Sequence, residues 1–564
     1  MLAVRSFDVE GALGTYLHSG VPLVHTPLHA LTATYIIDNK LHQKNTRTSP
    51  IMPFLAKEHY PIPTKDILSW SFDNINYDHD KAIYIDALNP KNSISTRQAR
   101  TLIRKLIAGL RALGFQKGDC ACINSFNDIH YPMVFLGLVG AGGIFSGVNP
   151  GYTPHELAHT LKIAKVKFVF VQPALLEATL KATDQVGIAR ERIIIFNPNG
   201  ETAPEGVLQW RDLLKHGEED WVRFDELETA KWTPAARLFS SGTTGLPKAA
   251  DLSHYNLVAQ HTLLYETNPR PWERRVVLAL PMFHAATAPG AFCSFIRPGA
   301  RAFVLPRFEP ERWFWCHEEY KLTDLLVVPP MAIFAINSPL NKKYSLKSVK
   351  IATCGAAPLD KLPQSRLQAL IGEDVAFTQV WGMTETSCVA TRFPWPETDT
   401  TGSVGRPMPG LDLKLVDDDG KDVSGPDRRG ELCIRGPTVI NGYFENPEAN
   451  ARDWDSEGYF HTGDIAFMDG KTELLYIVDR KKVRAPPPYL MSKERANEHP
   501  RNSSKCELFK SRHPKSKAYS SITPISSMPQ SLACRTQTTV KARSSREPTW
   551  CGEMPTVNGR ASRK

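Results

Sequence analysis

Residues 240–248 read Ser-Ser-Gly-Thr-Thr-Gly-Leu-Pro-Lys, and no other stretch of this 564-residue chain constrains it so tightly. Hydroxyls on Ser240, Ser241, Thr243 and Thr244 can donate to the oxygens of a polyphosphate. Gly242 and Gly245, with no Cβ, let backbone N–H groups approach the same oxygens, and Lys248 adds charge. Residues 235–239 read as a strand feeding the loop. An ordinary polar turn has a similar composition. The spacing is not that of a P-loop, since the glycines stand as G-x-x-G and Pro247 precedes the lysine.

The length is too great for one core, so two or more domains are expected. Between residues 52 and 480, apolar β-branched runs alternate with amphipathic stretches. Over residues 97–113, Ala99, Leu102, Ile103, Leu106, Ile107 and Leu110 recur at helical spacing, with Gly114 as the stop. Residues 167–171, 192–196, 276–280 and 325–328 read as buried strands. Residues 132–147 are apolar and glycine-rich but fall short of the ~20 residues a bilayer helix needs. They read as a buried helix entering a strand. The alternation predicts an α/β body with largely parallel sheets.

The net charge of +9 is unevenly placed. From residue 485 onward there are fifteen Lys and Arg against five Glu and no Asp, which leaves −1 for residues 1–484. A near-neutral body gives no reason to expect a nucleic-acid or membrane-surface partner. Residues 485–564, basic and rich in Ser and Pro, have no sustained period and are expected to be disordered, because they bury too little apolar surface to offset their ordering entropy. Residues 1–51 are a leader without the clean apolar segment of a secretory signal. Among ten scattered cysteines only Cys120 and Cys122 are close, which fits neither a disulfide framework nor a zinc site and suits a reducing compartment.

Further motifs follow: PMFHAATAPG with His284, CGAAPL at 354–359, QVWGMTET at 379–386, GSVGRPMPG at 402–410, GELCIRGPTVINGYF at 430–444, GYFHTGDIA with Asp464, and DRKK at 479–482. Singly, each has a plain structural explanation, such as a core histidine, a small-residue turn, a helix cap or a solvated charge cluster. Three residues carry chemistry by type. Glu385 offers a hard oxygen to Mg²⁺, Trp381 an aromatic face or edge to a base, and Asp464 a carboxylate that can accept both hydroxyl protons of a ribose.

In this order the motifs make the chain resemble the adenylate-forming superfamily, which includes acyl-CoA synthetases, 4-coumarate:CoA ligases, beetle luciferases and peptide-synthetase adenylation domains. Ala249 and Ala250 depart from the usual Gly-Val, and Ala286 stands where 4-coumarate ligases often have Tyr. The resemblance implies an α/β fold. Residues 52–480 would be an AMP-binding (adenylation) large domain of two α/β subdomains plus a small β-barrel, and 479–484 the hinge to a small α/β lid. It also implies that Ser240, Ser241, Gly242, Thr243, Thr244, Gly245 and Lys248 hold the phosphates of ATP. Gly355, Ala356 and Ala357 would form the adenine slot with Gln379, Trp381 and Gly382 beside it; Thr384 would reach the α-phosphate, Glu385 would bind Mg²⁺, and Asp464 and Arg480 would bind the ribose. The acyl pocket would be lined by His284, Thr287, Met331, Gly355 and Val380. Lys248, His284, Thr384 and Glu385 are the expected catalytic residues.

The implied reaction converts a carboxylic acid and ATP into acyl-AMP and pyrophosphate, then passes the acyl group to coenzyme A. Joining two anions requires oriented cations and donors. In relatives the lid carries a further lysine that bridges the carboxylate and α-phosphate. Here the chain runs from DRKK into VRAPPPYL with no later Pro-x-x-x-x-Gly-Lys, so the lid is expected to be absent or degenerate, as a shifted reading frame near Lys482 would leave it. The alternatives are an impaired nucleotide- or acyl-binding remnant and luciferase-like oxidation of an adenylate. The expected compartment is cytoplasmic or peroxisomal; the chain closes with Ser562, Arg563 and Lys564, not with the peroxisomal Ser-Lys-Leu.

Overall fold

The computed structural model describes residues 53–240 and 247–481. The leader, the tail at 485–564 and residues 482–484 of the expected hinge lie outside the described residues.

The helix read at 97–113 spans Thr96–Ala112 and opens with a capping box. Ser95 Oγ accepts from the Gln98 N–H, and the Gln98 side chain accepts from the Ser95 N–H at 2.8 Å. This helix packs on the wholly buried helix Tyr131–Gly140, where a Cβ on Gly137 would lie 2.8 Å from Leu106 Cβ. Absence of a side chain there permits the close approach. The chain then enters the strand Ile144–Gly147, as the apolar segment predicts.

Six strands form the first sheet, in the spatial order Ile193–Ile195, Val166–Val171, Cys120–Asn124, Ile144–Gly147, Pro234–Ser240, Lys248–Ser253. All neighbours are parallel except the last two, an antiparallel pair with Ser240 opposite Lys248. The outer strand Lys248–Ser253 is itself covered. Ala250 bridges Tyr443, the Phe444 N–H donates to the Ala249 carbonyl (2.8 Å), and the Asp251 N–H donates to the Gly442 carbonyl (3.2 Å).

The second α/β layer combines a four-stranded sheet, Ser93–Ser95, Ala82–Asp86, Arg301–Val304, Arg275–Leu278, with the parallel strands Asp324–Val327, Ile351–Cys354 and Ala376–Gln379. The Thr323 N–H, donating to the Arg275 carbonyl at 3.0 Å, stitches the two together. In both layers the inner strands read as near-continuous apolar runs, as expected where helices cover both faces.

The third unit is antiparallel, in the order Asp412–Val416, Arg429–Arg435, Phe460–Met468, Leu475–Arg480. Its outer strands are flanked by further segments, Phe54 bridging Leu413 on the first and Val404 and Gly405 exchanging backbone hydrogen bonds with Leu475 on the last, each at 2.9 Å. Among the described residues no helix is long and apolar enough to cross a membrane.

Candidate functional site

The register of the three parallel strands sets Val327 beside Cys354 and Cys354 beside Gln379, so their following segments leave the sheet side by side. That carboxyl edge is where open α/β sheets receive ligands. Met331 lies in the first turn of the helix Pro329–Asn337 there, Gly355 packs against Val380, and Ala356 and Ala357 are exposed, Ala356 at φ 71°. Gln379 is buried. Its Oε1 accepts from the Leu359 N–H and its Nε2 donates to the Leu359 carbonyl, both at 2.8 Å. The amide therefore clamps the Gly355-to-Leu359 loop and does not face the slot.

Beyond Gln379 the chain folds into a tight turn. Trp381 bridges Thr391, the short 3₁₀ helix Thr384–Thr386 follows, and a Cβ on Gly382 would lie 1.7 Å from the Cys388 carbonyl oxygen. Only glycine fits at 382. Thr384 is buried, and Glu385 is 1% exposed. Glu385 Oε1 accepts from the Tyr443 hydroxyl at 2.7 Å, while Oε2, equally buried, has no partner among the described residues. Burial, with Glu385 beside it, pushes the Tyr443 phenol far above its ordinary pKa and keeps it a donor.

Cys388 Sγ, 3.6 Å from the Ala286 carbonyl, brings the His284 segment against this turn. His284 Nδ1 accepts from the Ala286 N–H at 3.1 Å, which places the imidazole hydrogen on Nε2. The ring reaches solvent yet is hemmed by protein, and desolvation lowers its pKa, so it is neutral at pH 7. Thr287, buried, stands just before the helix Ala288–Cys293.

Asp464 and Arg480 are cross-strand partners in the antiparallel sheet. Asp464 is 4% exposed; its Oδ2 accepts from Trp381 Nε1 at 2.8 Å and its Oδ1 from Arg480 Nε at 2.9 Å. A carboxylate has about four lone-pair sites, so two remain for a vicinal diol. The Trp381 indole is thereby tied to the carboxylate. One residue on, Lys481 Nζ donates to Glu431 Oε2 at 2.9 Å, and Glu431 Oε1 accepts from the Gly463 N–H at 3.1 Å. Burial raises the Glu431 pKa, but hydrogen bonds from His461 and Lys481 outweigh it and bring the carboxyl to about 2.

Lys248 closes the loop region on the other side. Ser240 opposite it is buried, whereas Ser241, Gly242, Thr243, Thr244 and Gly245 lie outside the described residues. The Lys248 side chain is 8% exposed; Nζ donates to Asp453 Oδ2 at 2.8 Å and lies 4.0 Å from the Tyr443 ring centroid. Asp453 also takes Arg452 Nε at 2.6 Å. Burial raises the Asp453 pKa, yet Arg452 and Lys248 hold it below the ordinary carboxylate range. The sequence reading passed over Tyr443 and Asp453. Tyr443 lies in a stretch read as connecting strands, and nothing in one sequence pairs Asp453 with a lysine 205 residues away.

The description "AMP-binding enzyme" matches residues 72–444. A phenylacetyl-CoA ligase of Aspergillus niger is 49% identical over 435 residues, covering 76% of this chain and 81% of that one. An acyl-CoA synthetase of Alternaria alternata is also 49% identical, over 402 residues, covering 71% and 70%. Among solved structures, ATP-bound MatB from Rhodopseudomonas palustris superposes with a TM-score of 0.64 at 25% identity, covering 74% of this chain and 78% of that one.

Proposed function

This chain belongs to the AMP-binding enzyme family, and we propose that it is an ATP-dependent carboxylate:CoA ligase whose acid is an arylalkanoic acid of the phenylacetate type. One observation carries the nucleotide side of the reading. Ala356, Ala357 and the buried Glu385, with one oxygen unpartnered among the described residues, follow the parallel strands Ile351–Cys354 and Ala376–Gln379 at their carboxyl edge, and Trp381 on that edge donates to Asp464 of the antiparallel strand Phe460–Met468. The relative named for phenylacetyl-CoA supports the acid, as do the Met331 thioether and small Gly355, since thioethers pack well on aromatic edges.

Asp464 accepts the two ribose hydroxyls through its remaining lone pairs. Ala356 and Ala357 leave a flat slot for the adenine. Neutral His284 presents Nε2–H toward the incoming carboxylate, orienting it without adding a full charge. Thr384 donates to the α-phosphate, where charge develops as the carboxylate oxygen bonds to phosphorus and pyrophosphate leaves. Lys248 steadies the departing phosphates. A thiol of coenzyme A then displaces AMP from the acyl carbon.

The residues fit Mg²⁺. Glu385 Oε2 is an orphaned, buried hard oxygen, and among the described residues no cluster of three or more acidic, His or Cys side chains competes for a metal. Glu385 would hold the ion, which would supply positive charge beside the phosphates.

Carboxylate-dependent ATP–pyrophosphate exchange, run with phenylacetate, benzoate, 4-coumarate and octanoate, tests the first half, and mass spectrometry of the acyl-CoA tests the second. Phenylacetate is expected to lead. A lead by octanoate overturns the acid, and the absence of exchange with every acid overturns the ligase.

A further inference from the structure

Lys248 is the loop's only ammonium, yet its charge is already matched in this structure. Three features of its surroundings bear on what an arriving polyphosphate would meet. First, Asp453 is a shared acceptor: besides Lys248 it holds Arg452 through two contacts, Nε to Oδ1 at 2.6 Å and Nη2 to Oδ2 at 3.0 Å. If Lys248 leaves, the half-buried carboxylate keeps a cation and is not stranded, which is the costly outcome when a buried ion pair is broken. Second, Lys248 stands on the Tyr443 ring, and the electron-rich face can go on stabilising the ammonium as it swings. Third, the lysine backbone is fixed. It pairs with Ser240 across the hairpin base and lies two residues from the Ala250–Tyr443 bridge, so only the flexible side chain can move.

We propose that Asp453 is a positioning residue that holds Lys248 as its counter-ion until the phosphates of ATP displace it, so that this exchange lowers the apparent affinity for ATP. The inference rests on the nucleotide reading above. AMP lacks the outer phosphates and does not call on the lysine, so its affinity is independent of the exchange. A binding site whose competent form is only fractionally populated loses affinity in proportion to that fraction. Removing the competitor therefore tightens binding, the opposite of what loss of a merely structural ion pair would do.

Equilibrium titration of the full chain with ATP, inorganic tripolyphosphate and AMP tests the exchange. In Asp453→Asn the dissociation constants for ATP and tripolyphosphate are expected to fall about three- to tenfold, while that for AMP is unchanged. Asp453→Glu, which keeps the charge, is expected to restore the weaker binding. Unchanged or weaker ATP binding in Asp453→Asn overturns the proposal. Should that variant fail to fold, the wild-type lysine ammonium resonance that disappears in Lys248→Gln is followed by NMR. It is expected to shift with tripolyphosphate and not with AMP; no shift overturns the exchange. A wild-type protein that binds ATP but forms no acyl-AMP sinks the ligase reading and leaves this titration readable, whereas one that binds no ATP sinks both.

Discussion

The parallel strands Asp324–Val327, Ile351–Cys354 and Ala376–Gln379 and the antiparallel sheet between Asp412 and Arg480 both reach the site, and they contribute different things to it. A parallel sheet covered on both faces can offer a ligand only its ends, so it supplies loops: Gly355 to Ala357, and the turn from Trp381 to Glu385. An antiparallel sheet can present side chains from the strands themselves, and here Asp464, Arg480 and Glu431 come from strand positions. Shape therefore resides mainly in the parallel layer and charge mainly in the antiparallel one. The exception is Glu385, a charge placed on the parallel side, and it is held there by a tyrosine from outside that layer.

Perturbing shape should cost more than perturbing charge. Gly382→Ala drives a Cβ into the Cys388 carbonyl and must displace the turn by an ångström or more, so carboxylate-dependent exchange is expected to drop about 10³-fold, given that a 1 Å misplacement alone can cost 10²-fold. A drop of less than tenfold would mean that the turn does not position the chemistry. On the antiparallel side, Glu431 carries the next effect, and it is one of stability. Its pKa falls from 4.5 to about 2 on folding, so the stabilisation is present above pH 4.5 and is lost as pH falls toward 2. Urea denaturation across pH 2–6 is expected to show Glu431→Gln missing roughly 3 kcal/mol of this acid-sensitive stability.

Asp464→Asn comes third. The amide cannot accept from both Trp381 and Arg480 and still take two hydroxyls, so KM for ATP is expected to rise roughly 30-fold, about 2 kcal/mol, with a smaller change in kcat. Smallest is Arg480→Ala. Its side chain is 64% exposed, and an ion pair so open to water contributes at most about 1 kcal/mol, which predicts a two- to fivefold rise in the same KM. If Arg480→Ala proved worse than Asp464→Asn, the division between buried and exposed charge within the antiparallel sheet would fail.

The body was legible in the sequence where local pattern and tertiary packing agree. The helix Thr96–Ala112 announces itself by apolar spacing and by the glycine after it, and Val166–Val171 by β-branched and aromatic residues. The candidate site could be assembled from the sequence as a set of residue types, because Glu385, Trp381 and Asp464 are unusual groups in short, ordered motifs. What stayed hidden is set by contacts between distant segments. Gln379 reads as a ligand group yet spends its amide on Leu359. Tyr443 and Asp453 read as filler yet organise Glu385 and Lys248.

The seam formed by residues 442–444 along the strand Lys248–Ser253 reaches beyond catalysis. A bare outer strand is a template on which another copy of the same chain can nucleate, and a folded protein must hide it. Here the hiding segment also carries the phenol that grips Glu385. Variants that loosen this strip would thus lose colloidal robustness and the anchoring of Glu385 together, and directed evolution toward one of these properties would drag the other with it.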